Sequence, residues 1–260
     1  MSTSNQKLPL SVTLIAHNEA HNIRRCLDSV VDWASEIIVV VNDCTDGTNE
    51  IAKSYGARVY EHPWQGHRDQ KQLALQYVTQ PWVFAIDADE EVSAPLRNSL
   101  FSFFKQDTDH YTGAYFPRKV WFLGRWITHG DWYPDHSLRL FRHDKGRWEG
   151  SPEHDKIALQ GRAKKLKGDL HHYSYASLNA QLEKIPYFSD IFLKRLLEKE
   201  ARWSSIAVVF RAFWRFIRCY IFRLGFLDGF PGFYVACFQG YSTLFRYTRL
   251  YEHIQQKHDN

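Results

Sequence analysis

Short continuous apolar runs alternate with segments of helical period through the N-terminal third of the chain, and each main run ends in polar residues. Val12–Ala16 leads into His17-Asn18-Glu19, Ile37–Val41 into Asn42-Asp43, and Trp82–Ile86 into Asp87-Ala88-Asp89. Between them Ile23, Leu27 and Val30 recur at helical spacing. Thr48–Tyr55 and His67–Val78 read as further helices, and Arg58–Tyr60 as a short strand. In the His67–Val78 helix, Leu73, Ala74 and Val78 are expected to face inward. A strand that is apolar on both faces must be covered on both, which calls for a parallel sheet between layers of helix. The fold class is therefore α/β. Any ligand belongs at the carboxyl ends of the strands, where the polar residues collect.

Two regions follow. From about Asp109 to Tyr175 the pattern is irregular and rich in Trp, Gly, His and charge, as in loops and short strands that complete a site. From Ser177 onward the chain reads as helix. The expected division is a catalytic domain over residues 8–175 and a helical region over 176–260. Within the latter, Phe210, Phe213, Trp214, Ile217, Tyr220, Ile221 and Leu224 gather on one helical side. Arg211, Arg215 and Arg218 gather on the other, with Phe222 intruding. This is the pattern of a helix lying in a membrane interface; the alternative is an amphipathic helix that caps the α/β domain. A second aromatic helix follows the turn at Gly225-Phe-Leu-Asp-Gly and runs to Tyr251. Gly229–Phe245 carries no charge and only touches the lower limit for a span, about 17 residues. Pro231 and Gln239 within it argue against a transmembrane helix.

Composition narrows the class further. Apolar residues make up 44% of the chain, enough for a buried core. A net charge of +4 is too small to call for nucleic acid. The four cysteines form no C-x-x-C pair and read as reduced thiols of a reducing compartment. The first residues contain no apolar run of the signal-peptide kind.

The sharpest chemical signal is Asp87-Ala88-Asp89-Glu90-Glu91. Residues two apart leaving a strand project to one side, and two carboxylates there repel unless a cation sits between them. Mg²⁺ or Mn²⁺ suits such ligands and leaves positions open for phosphate oxygens; a solvated acidic turn is the bland alternative. Asp43 is placed to accept hydrogen bonds from a ribose or base, or serves only the turn, with Asp46 as the cap of the next helix. Lys71 offsets diphosphate charge or is a solvated helix residue. Arg139 and Arg142 clamp phosphate or make structural salt bridges. No G-x-G-x-x-G follows the first strand and no G-x-x-x-x-G-K-[ST] occurs, so dinucleotide and P-loop readings lack their phosphate-binding device.

Taken together, Ser11-Val-Thr-Leu-Ile-Ala-His-Asn-Glu, Val-Asn-Asp-Cys-Thr-Asp-Gly-Thr, Gln70-Lys71 and Asp87-Ala-Asp-Glu resemble a family 2 glycosyltransferase. Pro134-Asp-His-Ser-Leu-Arg-Leu-Phe-Arg, Glu153-His154-Asp155 and Gly225-Phe-Leu-Asp-Gly resemble the branch that includes lipopolysaccharide inner-core β-1,4-glucosyltransferases. The resemblance covers nearly the whole chain. It implies a GT-A nucleotide-diphospho-sugar transferase fold with a C-terminal helical membrane-associating region. It places His17, Asn18, Glu19 and Asp43 at the uracil-ribose portion, with Lys71, Asp87 and Ala88 also in the nucleotide-sugar site. Asp89 becomes the principal metal ligand, with Asp87 on the ribose or the metal and His172 either a further ligand or a packed residue. Cys44 stands where the family often has Ser or Gly. Glu153-His154-Asp155 departs from the usual Val-His-Glu, so the general base is Asp155, or else Asp135 or Asp131; Asp155 is otherwise a surface residue.

The expected reaction is metal-dependent, inverting transfer of a hexose, glucose from UDP-glucose, to a heptose of the lipopolysaccharide core. The expected place is the cytoplasmic face of the bacterial inner membrane, with the protein peripheral on its anionic surface. The rivals are transfer to another lipid-linked or surface glycan, and a non-catalytic membrane-surface scaffold. A nucleotidyltransferase would need a glycine-rich N-terminal phosphate loop, which is missing.

Overall fold

The computed structural model describes residues 7–151, 154–175 and 177–258. The chain divides into two compact units. The first holds the residues up to Arg118 together with Asp135–His172; the second holds Lys119–Pro134 and the chain from Tyr173 onward.

The first unit opens with β1 (Leu8–Ala16), α1 (Ala20–Asp28), β2 (Ala34–Val41), α2 (Thr48–Ser54), β3 (Arg58–Glu61), α3 (His67–Ala74) and β4 (Trp82–Ala85). β1 lies parallel to β2, with Ala16 opposite Val41, and parallel to β4 on its other side, with Thr13 opposite Ala85. β2 in turn lies parallel to β3. These registers bring the polar strand ends onto one edge. The sheet is covered on both faces, as its composition requires. Leu10, Val12, Leu14, Phe84 and Ile86 pack with Ile23 and Leu27 of α1 and with Leu96, Leu100 and Phe103. Ile38 and Val83 pack with Leu75, Val78, Phe141, Trp148 and Ile157. Asp46 accepts hydrogen bonds from the first amides of two helices, Ala20 N–H at 2.9 Å and Thr48 N–H at 3.1 Å. One side chain thus satisfies orphan donors of both α1 and α2. α3 ends in a tight turn at Leu75–Tyr77, so Leu75 is buried with Ala74 and Val78 while Leu73 is only half-buried.

The irregular segment is more ordered than its pattern suggests. β5 (Glu90–Val92) and α4 (Ala94–Gln106) precede it, and it contains β6 (Gly113–Phe122), β7 (Arg125–Trp126), β8 (Asp135–Arg142), β9 (Gly146–Ser151), β10 (His154–Leu159), β11 (Ala163–Lys165) and β12 (Leu170–His172). β8 lies antiparallel between β4 and β6, so the sheet changes from parallel to antiparallel across β4. β11 lies parallel to β6, and β9 and β10 form a separate hairpin. Pro117, Arg118 and Lys119 within β6 hide its strand period. β12 lies antiparallel to β5, with His172 opposite Glu90.

The second unit contains the β6–β7 turn and three helices, α5 (Leu178–Glu198), α6 (Ser205–Ile217) and α7 (Gly229–His258). Phe122, Ile127, Cys219, Val235 and Ala236 form its core. Asp228, fully buried, accepts from the Thr128 and His129 amides at 2.9 and 2.8 Å and pairs with Arg125, tying the loop to the start of α7. α6 ends in a wider turn, Arg218–Phe222, whose extra residue shifts the helical phase. Phe222 is thereby carried to within 5.4 Å of the Trp214 ring instead of standing among the arginines. Phe210, Phe213, Trp214, Ile221 and Leu224 are exposed. Arg215 and Arg218, expected to present a free basic face, are engaged with Asp131, and Arg211 stacks on Tyr247. Among the described residues no helix is long and apolar enough to cross a membrane. All four cysteines are unpaired.

Candidate active site

The carboxyl end of β4 carries Asp87 between two cations. Its Oδ1 lies 2.9 Å from Lys71 Nζ of α3, and its Oδ2 lies 2.7 Å from Arg139 Nη2 of β8. Arg139 is buried, and reaches the fully buried Glu90 at 3.2 Å. Glu90 in turn accepts the Asp87 N–H at 2.9 Å and pairs with Arg118 at 3.6 Å. Arg118 also holds Asp135, with Nε 2.8 Å from Oδ2. Burial works to raise the Asp87 pKa, but the charges of Arg139 and Lys71 hold it well below the usual carboxylate range. Arg139 is pushed up in return, because Asp87 and Glu90 outweigh its burial.

Lys71 is shared. Its Nζ lies 2.8 Å from Asp155 Oδ2 and 4.9 Å from the centre of the Trp148 ring. Asp155 and Asp87 therefore sit on either side of one ammonium. Lys71 is a half-buried bridge, not a solvated helix residue, and Arg139 makes the salt bridges that were one of its two readings. Arg142 pairs with Asp144 at the surface.

The pairing of β12 with β5 sets His172 beside the D-x-D segment. His172 Nε2 lies 3.3 Å from Asp89 Oδ2. Burial raises the Asp89 pKa and the Asp87 charge adds to this, but the His172 imidazole prevails and holds it below its ordinary value. A carboxylate oxygen and an imidazole nitrogen this close suit a divalent ion that keeps its other positions for diphosphate oxygens. The donor set fits with these two protein ligands; among the described residues no group of three His, Cys, Asp or Glu forms a closed cage. The Ala88 side chain between them is buried in the core.

On the neighbouring strand ends, His17 Nδ1 lies 2.7 Å from the Asn42 carbonyl oxygen, and Thr45 N–H donates to Asn18 Oδ1 at 2.8 Å. Asn18 and Asp43 both adopt left-handed backbone, φ +54° and +43°, which Asn and Asp tolerate better than most residues. Asp43 is exposed. Burial, with some help from the Asp89 charge, raises the pKa of Glu19, against a hydrogen bond from Asn22. Glu19 is therefore electrostatically part of the D-x-D site.

The structure thus gathers Lys71, Asp87, Asp89, Asp155 and His172, with His17, Asn18, Glu19 and Asp43 on adjoining strand ends. Asp135 joins through Arg118. Asp131 belongs to the second unit, where three arginines surround it. Glu153 lies outside the described residues. Glu90, Arg118 and Trp148 were not singled out from sequence. Glu90 stood in the acidic run without a role; the pairing of β6 with β8 brings in Arg118, and the packing of the β9–β10 hairpin on α3 brings in Trp148.

The pattern of Glycosyl transferase family 2 matches residues 11–160, more than half of the chain. The chain belongs to glycosyl transferase family 2. Its GT-A-like fold agrees with the expectation from the motifs. This family 2 enzyme is 31% identical over 226 residues to the lipopolysaccharide core biosynthesis glycosyltransferase LpsC of Rhizobium meliloti, covering 84% of this chain and 83% of LpsC. It is 28% identical over 253 residues to a glycosyltransferase of Rickettsia typhi, covering 94% of this chain and 87% of that one. Among solved structures, S. aureus TarS 1–349 superposes with a TM-score of 0.45 at 14% identity, covering 96% of this chain and 92% of TarS 1–349.

Proposed function

We propose that this family 2 glycosyltransferase transfers a hexose, glucose from UDP-glucose, to a heptose of the lipopolysaccharide inner core with inversion at the anomeric carbon. The observation that carries the reaction is the Asp89–His172 pair beside the Lys71 bridge between Asp87 and Asp155. His17, Asn18, Glu19 and Asp43 receive the uracil and ribose. Asp87, already paired with two cations, turns to the ribose and leaves Asp89 and His172 to hold Mg²⁺ or Mn²⁺. When bound, that ion stabilises the departing diphosphate. Lys71 places a positive charge against the same phosphates. Asp155 takes the proton of the acceptor hydroxyl as its oxygen attacks the anomeric carbon from the face opposite the diphosphate. The bond from that carbon to the diphosphate breaks, and UDP leaves.

The kinship with LpsC favours a core acceptor over another lipid-linked or surface glycan. The exposed aromatic side of α6 supports peripheral attachment to the anionic cytoplasmic face of the inner membrane. The test measures UDP release from UDP-glucose by the wild type and Asp89→Ala, with Mg²⁺ or Mn²⁺ and with chelator. Asp89→Ala should be inactive and folded; near wild-type release by a chelator-sensitive variant would sink the metal assignment. Mass spectrometry of the core from cells lacking the protein should show one hexose missing.

A further inference from the structure

In the second unit one carboxylate is buried among three guanidinium groups. The Asp131 side chain is 2% exposed, and Arg215 Nε, Arg218 Nη2 and Arg223 Nε lie 2.8, 2.9 and 3.4 Å from its oxygens. Arg218 reaches both oxygens at 2.9 Å. No other carboxylate pairs with these arginines among the described residues, so three positive charges face one negative, a surplus of two. Burial, and the charges of Arg218 and Arg223, lower the Arg215 pKa despite Asp131. The Arg246 guanidinium adds its field to the same place, since Arg215 lowers its pKa in addition to burial. The three side chains remain 32%, 35% and 49% exposed, so the cluster is open on one side. Guanidinium forks held in a fixed array match the oxygens of a phosphate.

Along α6, Ile206, Val209, Phe210, Phe213 and Trp214 repeat at the spacing of one helical face, and all are exposed. Val208 and Cys219, on the other side, are buried. Arg211 and Arg218 follow the Trp214 edge of this stripe, while Arg215 lies on the opposite side with Val208 and reaches Asp131. A contiguous exposed apolar face of this kind is unusual for a protein with no partner. A free phosphate would satisfy the arginines and leave the stripe in water. A bilayer surface offers an anionic plane and an apolar layer side by side, matching both.

We propose that Asp131 arranges Arg215, Arg218 and Arg223 as a clasp for the phosphate of an anionic lipid headgroup, with the Ile206–Trp214 stripe seated in the adjoining acyl region. The proposal rests on the membrane-surface part of the proposed function and not on the reaction. Asp131 is a positioning residue in this account.

The test is co-sedimentation of the full chain with vesicles of phosphatidylcholine alone and of phosphatidylcholine with phosphatidylglycerol. The wild type should prefer the anionic vesicles. Arg215→Gln/Arg218→Gln/Arg223→Gln should weaken that binding roughly a hundredfold, at about fivefold per arginine. A control, Arg24→Gln/Lys53→Gln/Lys105→Gln in the first unit, removes equal charge and should change it little. Should the triple variant fail to fold, Arg218→Lys/Arg223→Lys keeps the charge and loses the forks, and should still bind more weakly than the wild type. Equal loss in the control and the arginine variant, or unaltered binding by both arginine variants, overturns the clasp. UDP affinity, measured by calorimetry on the same samples, separates the two claims. It should survive the arginine changes. Its absence from the wild type would count against the glycosyltransfer reading and leave the lipid result standing.

Discussion

Replacing Arg139 by Gln removes the cation between Asp87 and Glu90. Both Arg139 and Glu90 are buried, and Arg139 holds the two carboxylates at 2.7 and 3.2 Å. Taking one partner out of a buried pair leaves an uncompensated charge and costs about 3–5 kcal/mol. Lys71 still faces Asp87 and Arg118 still faces Glu90 at 3.6 Å, which puts the expected loss near the lower end, about 3 kcal/mol. At about 2–4 °C per kcal/mol for a chain of this size, the melting point should fall by roughly 6–12 °C. The pH dependence identifies the cause. In the wild type the folded Asp87 pKa is depressed, so its contribution is present above the unfolded value, about 3.9, and is lost as pH falls below it. In the variant, burial without Arg139 should raise the carboxyl pKa values, so the variant regains stability as pH falls through them. Above pH 4 only the second trend acts, and it shrinks the gap on acidification. Urea unfolding of both proteins at several pH values between 7 and 4 measures that gap. A gap that stays constant across the range would refute the electrostatic account and assign the loss to packing.

Asp155→Asn should reduce turnover by about 10²–10⁴ and keep UDP affinity, because removing a general base leaves the donor site in place; if it keeps more than about a tenth of the rate while Asp135→Asn is dead, the base is Asp135. Asp228→Ala should destabilise the second unit by about 3 kcal/mol, since buried amides and Arg125 lose their acceptor. Burial opposes ionisation of Asp228, but bonds from His129 and Thr128 lower its pKa, so in the wild type this contribution should be complete above about pH 4 and fade below it; thermal melts of both proteins across that range check the sign. Gly168→Ala should cost at least about 2 kcal/mol, because φ is +92° and a Cβ would meet the Leu96 backbone nitrogen at 2.2 Å; an unchanged urea midpoint would contradict this.

The α/β class and the location of the site were legible because they follow from local composition. Val39–Val41 and Val83–Phe84 are apolar on both faces and are buried on both faces. Polar residues directly after such strands lie at the sheet edge whatever the rest of the chain does. Asp87, Asp89, Asn18 and Asp43 could therefore be picked out without coordinates. Asp46, with Gly47 and Thr48 after it, announced its capping role through turn chemistry alone.

Which charge meets which was decided only by tertiary structure. Arg139 reaches Asp87 because β8 inserts antiparallel beside β4, and His172 reaches Asp89 because β12 pairs with β5. Arg118 enters the site by the same route, through the pairing of β6 with β8, while Trp148 arrives as the β9–β10 hairpin packs on α3. Arg211, Arg215 and Arg218 read as the basic side of a membrane-interface helix, yet Arg215 and Arg218 turn onto Asp131, a residue far away in sequence. Phe222 changed sides because one turn takes an extra residue, which a fixed period of 3.6 cannot register. Periodicity reports which side of an element is apolar, since that depends on its own residues. Ion-pair partners depend on strand order and register, which are set by long-range packing and leave no local mark.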